Sequence, residues 1–320
     1  MSPARDGSAR VPWRSAAAYA LYAVVAAGLF LVLTFPYERL QAALVAGVAR
    51  STHARVTVES GRFLFPLGVG WRGVRFEPEG DRGRLLVPFN GRVLVPFNGR
   101  LLVPFNALTV DAVRVRVALW PLLRRTVDAD VTWEAYGGRA RGTWESRPAP
   151  GGARFALDQV GQGFELARLP FLPPGDWRGT LRLDVTCQWT NEAWWSGEGA
   201  GSAEVTGLRI DGLTAAGVPI NGIEFDTIAI QVALKGGTVT VQRFAAGGAL
   251  GTASGEGTVL VRMPWSESIL NLTLKLSPSP GAAARVPLLA LAGTKGGPIT
   301  VHIGGRLARP DVTLNGTPIS

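Results

Sequence analysis

The sequence is poor in the residues from which many active and metal-binding sites are built. It has one cysteine and two histidines in 320 residues. Cys187 has no partner in the chain, so an internal disulfide is excluded and the fold must be stabilised by packing. His53 and His302 belong to no motif with metal-ligand spacing. No Gly-x-Ser-x-Gly elbow and no phosphate-binding Gly-Lys-Ser/Thr loop occurs. The sequence therefore predicts a non-enzymatic protein with no catalytic residues, no metal site and no cofactor.

Lysine is also scarce, although the chain is basic. The formal net charge is +9, and arginine supplies all but three of the 33 basic residues. These arginines are scattered along the chain and form no basic stripe or nucleic-acid-reading motif. We therefore expect no nucleic-acid partner.

One long uncharged segment lies near the N-terminus. Residues 15–35 contain no charged side chain, and in a helix they would span roughly 30 Å, the thickness of the hydrocarbon layer of a bilayer. Trp13 and Tyr37 flank the segment, as aromatic residues at membrane interfaces do. A cleaved signal peptide is the alternative, but the apolar run is long and no A-x-A cleavage site precedes a plausible mature start. The sequence predicts a single transmembrane anchor over residues 15–36.

The charges before this segment predict its orientation. Three arginines precede it: Arg5, Arg10 and Arg14. Because basic residues stay on the cytoplasmic side, residues 1–14 are expected to form a cytoplasmic tail. Residues 37–320 are then expected to be exported as one β domain.

The exported part has the pattern of β-structure. Apolar side chains occupy every second position over residues 113–119, 228–234 and 270–276, the period of a strand with one wet face. Paired glycines, among them Gly236-Gly237 and Gly304-Gly305, indicate turns. Helical periodicity is confined to residues 37–50 and 286–292. The sequence predicts a mainly β protein with a large antiparallel sheet and one or two short helices.

The apolar face of such a sheet must be covered, and two short helices are too few to cover it. Each buried Val, Leu or Phe contributes about 1.5 to 3 kcal/mol, so a fully wet apolar face would be unstable. A second sheet, closure of the sheet on itself, or a curled sheet whose lining is occupied by lipid would each solve the problem. The sequence alone leaves these alternatives open.

Three segments carry a resemblance to a known family. They are residues 33–40 (LTFPYERL), residues 65–74 (FPLGVGWRGV) and the closing residues 304–314 (GGRLARPDVTL). Together with the glycine-rich β body, they resemble the type II secretion system protein N family, in the variant whose exported part is related to AsmA-like domains.

The resemblance implies a fold, a location and partners. The expected fold is a large curled antiparallel sheet that forms an AsmA-like, taco-shaped trough with an apolar groove. The expected protein is anchored in the bacterial inner membrane, with its bulk in the periplasm and type II secretion components as partners. Phospholipid or other acyl chains are further partners that the groove would bind. The alternative is an AsmA-like lipid-binding or lipid-transfer module of the cell envelope.

An octapeptide repeat interrupts the β body. Residues 83–106 read GRLLVPFN, GRVLVPFN and GRLLVPFN. The two Asn-Gly pairs between copies favour tight hairpin turns, but a proline in each copy removes a backbone donor that a central strand needs. The repeat is predicted to be a recent duplication that forms an extra hairpin at a sheet edge or a loosely ordered insertion. A partner-binding β ribbon is the functional alternative.

Two further features were candidates for interaction or packing. Cys187 shares a strand face with Leu183 and Val185, which predicts a small core residue and not a nucleophile. Trp194 and Trp195 lie beside polar residues in a segment with loop character. They predict either core packing or contact with a membrane, a glycan or a protein.

Overall fold

The computed structural model describes most of the chain after residue 53. The described residues are 54–64, 67–78, 86–87, 101–102, 108–150, 152–170, 172, 175–191, 194–215, 218–220, 222–262, 267–282 and 298–318, together with Tyr19 and Tyr22. The chain forms two units, Met1–Gly47 and Val48–Ser320.

The described residues leave most of the predicted anchor untested. Tyr19 and Tyr22 are helical, and each side chain is exposed. The rest of residues 15–36 and the predicted helices over residues 37–50 and 286–292 lie outside the described residues. Among the residues that the structure describes, no helix has the length and apolar character needed to cross a bilayer.

One large antiparallel sheet dominates the second unit. Its strands are β1 (Ala54–Leu64), β2 (Gly68–Pro78), β5 (Leu108–Val117), β6 (Val127–Ala135), β7 (Gly138–Ala149), β8 (Gly152–Glu165), β9 (Asp176–Thr190), β10 (Glu198–Asp211), β13 (Ile223–Lys235), β14 (Thr238–Gly248), β15 (Gly251–Leu260), β16 (Ile269–Pro278), β17 (Ile299–Arg306), β18 (Arg309–Leu314) and β19 (Thr317–Pro318). The 15 strands pair in this order, so the sheet is open, with β1 and β19 at its edges. The prediction of a mainly β protein with a large antiparallel sheet is confirmed.

Short elements lie in the connections. Two small antiparallel ladders pair β3 (Leu86–Val87) with β4 (Leu101–Leu102), and β11 (Leu213–Ala215) with β12 (Val218–Ile220). A single helical turn, α1, spans Leu119–Leu122, and 3-10 turns span Leu166–Arg168 and Trp194–Ser196.

The described part of the octapeptide repeat lies in one of these ladders. Leu86 of the first copy pairs with Leu102 of the third copy, and Val87 pairs with Leu101. This ladder is separate from the large sheet. Both Asn-Gly pairs lie outside the described residues.

The sequence prediction was wrong at two places within the sheet. The alternating run of residues 113–119 ends early, because β5 stops at Val117 and Leu119 begins α1. Gly304 and Gly305, read as a turn, lie inside β17, where they pair with Asn271 and Leu270. A glycine pair is a weak signal for a turn, because its backbone groups can instead form hydrogen bonds with a neighbouring strand, as they do here.

Because consecutive strands run in opposite directions, the sheet has two ends. The entry end carries Ala54, where the chain enters β1, and the connections that follow β6, β8, β10 and β14. The distal end carries the connections that follow β1, β5, β7, β9 and β13. Four register shifts interrupt the ladders, between β8 and β9, β9 and β10, β13 and β14, and β14 and β15. Such bulges bend and twist a strand locally.

Candidate functional site

The strand register divides the sheet into an apolar face and a polar face. Directly paired residues lie on the same face, so a row can be followed from strand to strand. One row takes a residue from every strand of the sheet except β19: Gly61, Trp71, Val113, Trp133, Ala140, Gly161, Leu183, Ala203, Ile230, Phe244, Gly255, Leu274, Val301 and Leu314. Every member is apolar or glycine. We call the side of the sheet that bears this row the apolar face.

A neighbouring row on the same face is apolar with one exception. From β5 to β9 it runs Val115, Val131, Gly142, Gln159 and Val185. Gln159 is only 8% exposed. Its Oε1 accepts a hydrogen bond of 3.3 Å from the indole Nε1–H of Trp133, whereas no described residue accepts one from its Nε2. The apolar face thus contains one buried amide with an unused donor.

Most of the large side chains on the apolar face remain partly open to solvent. Trp71, Leu183, Ile230 and Leu274 are half-buried, and Val185 is 36% exposed. Among the described elements, the strands make their extended contacts with their neighbours in the sheet, and no second sheet packs on them. The described residues therefore show neither a sandwich nor a closed sheet, and no described element packs along the whole of the apolar face.

A small core covers the apolar face at the entry end. Leu166, in the 3-10 turn after β8, packs with Leu208 and Ile210 of β10, and all three are buried. Leu169 and Leu172 extend this cluster. The connection between β8 and β9 therefore covers one end of the apolar face and does not extend over the rest of it.

Aromatic side chains lie over small residues on β6 to β9. Trp133 and Phe164 approach with ring centroids 5.2 Å apart. Phe164 is 2% exposed, and a Cβ on Gly138 or Gly161 would press against its ring. Towards the distal end, Trp144, Phe155 and Trp189 form an aromatic ladder with centroid distances of 5.9 and 5.5 Å. The glycines make room for rings that broaden the apolar surface.

The polar face carries charges of both signs. Glu134 accepts from Arg139 at 2.6 Å and lies 3.7 Å from Arg114. A shallow cleft of about 500 Å³ beside them is lined by three arginines and two aspartates: Arg114, Arg116, Arg141, Asp130 and Asp158. Because the basic side chains are interspersed with carboxylates, this face resembles a solvated surface.

No protein-family model, no curated protein and no solved structure matches this chain. The resemblance to the type II secretion system protein N family therefore stays a prediction.

The residues singled out in the sequence are dispersed. Cys187 is a free thiol on the apolar face between Leu157 and Gly199, and its side chain is half-buried. Burial raises the pKa of this thiol. His302 lies on the polar face, where its Nδ1 is 3.4 Å from Oγ1 of Thr273. His53 lies outside the described residues, which contain no cluster of three metal-ligating side chains. Trp195 is half-buried in the 3-10 turn after β9.

Sequence reasoning missed the connection between β5 and β6. Leu119 was predicted to end a strand and no prediction covered residues 120–125, but residues 119–125 form α1 and the turn that follows, with large apolar side chains in solvent. The sequence did contain evidence against a strand here. Pro121 has no N–H to donate to a neighbouring strand, and the apolar run that ends in two arginines does not alternate with polar residues.

Proposed function

We propose that this protein is a non-enzymatic component of the bacterial type II secretion system whose apolar face binds the acyl chains of a lipid. In this proposal residues 15–36 anchor the chain in the inner membrane, and residues 37–320 form a curled trough in the periplasm. The observation that carries the lipid-binding part is the apolar row from Gly61 to Leu314, which crosses almost the whole sheet.

The chemistry of the face favours an acyl chain as its occupant. Covering apolar surface contributes about 25 cal/mol per Å², and the half-buried side chains of the face still have surface to cover. Apart from Gln159, the two rows traced above offer no polar side chain between β5 and β9 to a ligand. A hydrocarbon chain needs no hydrogen bonds, whereas a peptide laid across the face would leave its backbone groups unsatisfied.

Curling of the sheet is part of the proposal. Neighbouring strands rotate by about 20–25° relative to one another, and sheets of more than about ten strands usually curl or split. The four bulges between β8 and β15 supply points at which this sheet can bend. A curled sheet would hold an acyl chain against side chains from several strands at once.

The role in secretion is supported by the resemblance of residues 33–40, 65–74 and 304–314. The second candidate function is a lipid-binding or lipid-transfer module of the envelope that acts without the secretion system. The same apolar face supports it, so the two candidates differ in the partners of the protein and not in its ligand.

Lipid binding is tested with a charge placed on the apolar face. In Val185→Asp the new carboxylate lies between Gln159 and Gly201, where there is room for it and where the site is partly solvated. We expect phospholipid to co-purify with the gently extracted full-length protein, as measured by mass spectrometry. The variant should retain much less phospholipid per protein, because an acyl chain would desolvate the carboxylate.

The matched control is Ala200→Asp, which adds the same charge to the neighbouring strand on the polar face. Ala200 is exposed and pairs with Thr186 and Ala233, so no like charge opposes the new aspartate. This variant should retain as much phospholipid as the wild type. Equal lipid content in all three proteins, or none in the wild type, would contradict acyl-chain binding.

The secretion role has a separate test. A strain that lacks this gene should release less of the type II exoproteins into the medium, and the wild-type gene should restore their release. Normal exoprotein levels in the deletion strain, combined with an altered lipid composition of the envelope, would favour the second candidate.

A further inference from the structure

The connection between β5 and β6 forms a compact projection at the distal end of the sheet. We call residues 118–126 the β5–β6 tip. Its base is joined to the sheet by a hydrogen bond of 2.8 Å from the Ala118 N–H to the Asp128 carbonyl. Its turn is closed by bonds from the N–H groups of Arg125 and Thr126 to the carbonyls of Leu122 and Pro121, at 3.0 Å each. This is the hydrogen-bond pattern of a Schellman motif, so the backbone of the tip is internally satisfied.

Large apolar side chains of the tip point into solvent. Trp120 is 80% exposed, Leu123 is 75% exposed and Leu119 is 54% exposed. These exposed side chains contribute little burial free energy to the stability of the folded chain. A contiguous exposed apolar patch of this kind is typical of an interaction surface.

Two arginines adjoin these apolar side chains. Arg124 and Arg125 are exposed, and neither has an ion-pair partner among the described residues. Carboxylates are present nearby, since Asp128 and Glu145 line the cleft behind the tip, but Glu145 is paired with Arg147. The tip itself therefore has two positive charges and no negative one.

Arg125 also occupies an unusual backbone position. Its φ of 58° places it in the left-handed region at the residue that closes the turn, where glycine is the usual choice. A non-glycine residue there costs about 1 kcal/mol or more. Glycine would relieve this strain and remove the charge, so the strain is consistent with a use for the side chain.

We propose that the β5–β6 tip docks on a phospholipid bilayer that carries anionic headgroups. Trp120, Leu119 and Leu123 would enter the boundary between headgroups and acyl chains, and Arg124 and Arg125 would contact lipid phosphates. A tryptophan with leucines on one side and arginines beside them is the composition of segments that lie in the membrane interface. Charge complementarity selects anionic lipid as the occupant.

The tip borders the polar face, where Trp120 and Arg124 line one cleft with Asp128, Glu145 and Arg147, but it also lies near aromatic side chains of the apolar face. Trp144, Phe155 and Trp189 lie towards the same end of the sheet on the apolar face. The tip lies at the opposite end from Ala54, where the chain enters the sheet. The docking proposal does not depend on acyl-chain binding, but a bilayer at the distal end would bring lipid to the end of the apolar face that the Leu166 cluster leaves uncovered.

The test uses the full-length protein with its proposed anchor, residues 15–36, held in nanodiscs of phosphatidylcholine. These nanodiscs are mixed with larger vesicles of phosphatidylcholine alone, or of equal parts phosphatidylcholine and phosphatidylglycerol, and vesicles are recovered by flotation. We expect the protein to float with the anionic vesicles and much less with the neutral ones. Added salt should reduce the flotation, because it screens the arginines. Empty nanodiscs should not float.

Two variants of the tip address its two components. Trp120→Ala with Leu123→Ala should raise the vesicle concentration needed for half-maximal flotation by about tenfold or more, because most of the inserted apolar surface is lost. Arg124→Gln with Arg125→Gln should raise it by roughly thirtyfold, since each arginine near an anionic surface contributes about fivefold. All four side chains are exposed, so melting temperatures should match the wild type.

The control removes two exposed arginines from the entry end. Arg139→Gln with Arg178→Gln changes the net charge equally, and both side chains are more than half exposed. This variant should float within about twofold of the wild type, because remote exposed charges contribute little. The proposal is overturned if the tip variants float like the wild type, if the control falls as far as they do, or if the wild-type protein floats with neither vesicle. Phospholipid retained per protein, measured separately, reports on acyl-chain binding by the sheet.

Discussion

Trp133 on β6 and Gln159 on β8 are joined across the intervening strand by a hydrogen bond of 3.3 Å from the indole Nε1–H to the amide Oε1. The contact is possible because the residues of β7 beneath it, Ala140 and Gly142, have almost no side chain. It places a buried amide, with its Nε2 donor unused among the described residues, in the middle of the apolar face.

Gln159→Leu should make the protein more stable. A buried donor without an acceptor costs about 1–3 kcal/mol, and leucine removes that cost. The indole of Trp133 loses its acceptor but is half-buried and can bond to water. We expect a net gain of about 1 kcal/mol in the free energy of unfolding, measured by urea denaturation of the lipid-free protein.

Trp133→Phe is the matched variant for this pair. In the Gln159→Leu background it should cost less than in the wild type, because the hydrogen bond has already been removed. A loss of stability in Gln159→Leu would show that Nε2 has a partner in the native protein.

Asp211 should make stability depend on acidic pH. The N–H of Gly222, at 2.8 Å, and the guanidinium of Arg209, at 2.9 Å, hold the pKa of this carboxyl below its usual range. A lowered folded-state pKa means that the carboxylate stabilises the fold above the unfolded pKa of about 3.9 and that this contribution is lost as pH falls through the folded value. The melting temperature of the wild type should therefore decrease when the pH is lowered below about 4.

The variant for this test is Asp211→Asn, which should lose part of that acid sensitivity and be less stable than the wild type near neutral pH. Asp226→Asn, at an exposed position on β13, provides the control for a change in charge. The same acid dependence in wild type and Asp211→Asn would show that other carboxylates cause it.

Cys187 should react slowly with thiol reagents. Burial raises the pKa of this thiol, so a smaller fraction is thiolate at a given pH, and the thiolate is the reactive form. The rate of alkylation should reach its midpoint at a higher pH than that of Thr186→Cys in a Cys187→Ser background, which puts a thiol on the exposed face of the same strand. Equal pH midpoints for the two thiols would contradict a buried environment.

Gly142→Ala should destabilise the sheet strongly. A Cβ at this position would overlap the carbonyl oxygen of Asp158 on β8, so the two strands would have to separate. We expect a loss of about 2 kcal/mol or more in the free energy of unfolding, measured by urea denaturation.

Gly201→Ala is the control for this substitution. Its Cβ would meet the Val232 side chain at 3.2 Å, which a small shift relieves. The loss should stay below about 1 kcal/mol. Similar losses at Gly142 and Gly201 would show that the contact with Asp158 is not the cause.

The strands and the two-sided character of the sheet could be predicted from the sequence, because alternation is a local property of the chain. Ile228 to Leu234 and Leu270 to Leu276 alternate in the sequence, and both lie in strands with the expected period. The position of Cys187 on an apolar face was predicted in the same way. The prediction was wrong where a local sequence pattern was compatible with more than one element. Gly304 and Gly305 read as a turn but join β17, and Leu119 reads as strand but begins α1.

By itself, the sequence determined that this protein is built from strands with one apolar side, since each strand carries its own pattern. Only the tertiary structure decided that these sides join into one face, because a row such as Trp71, Val113 and Trp133 depends on pairing between strands far apart in the chain. Tertiary structure also decided that the sheet stays open and that Trp120 and Leu123 lie in solvent. Exposure depends on what packs against a side chain, and no short stretch of sequence contains that information.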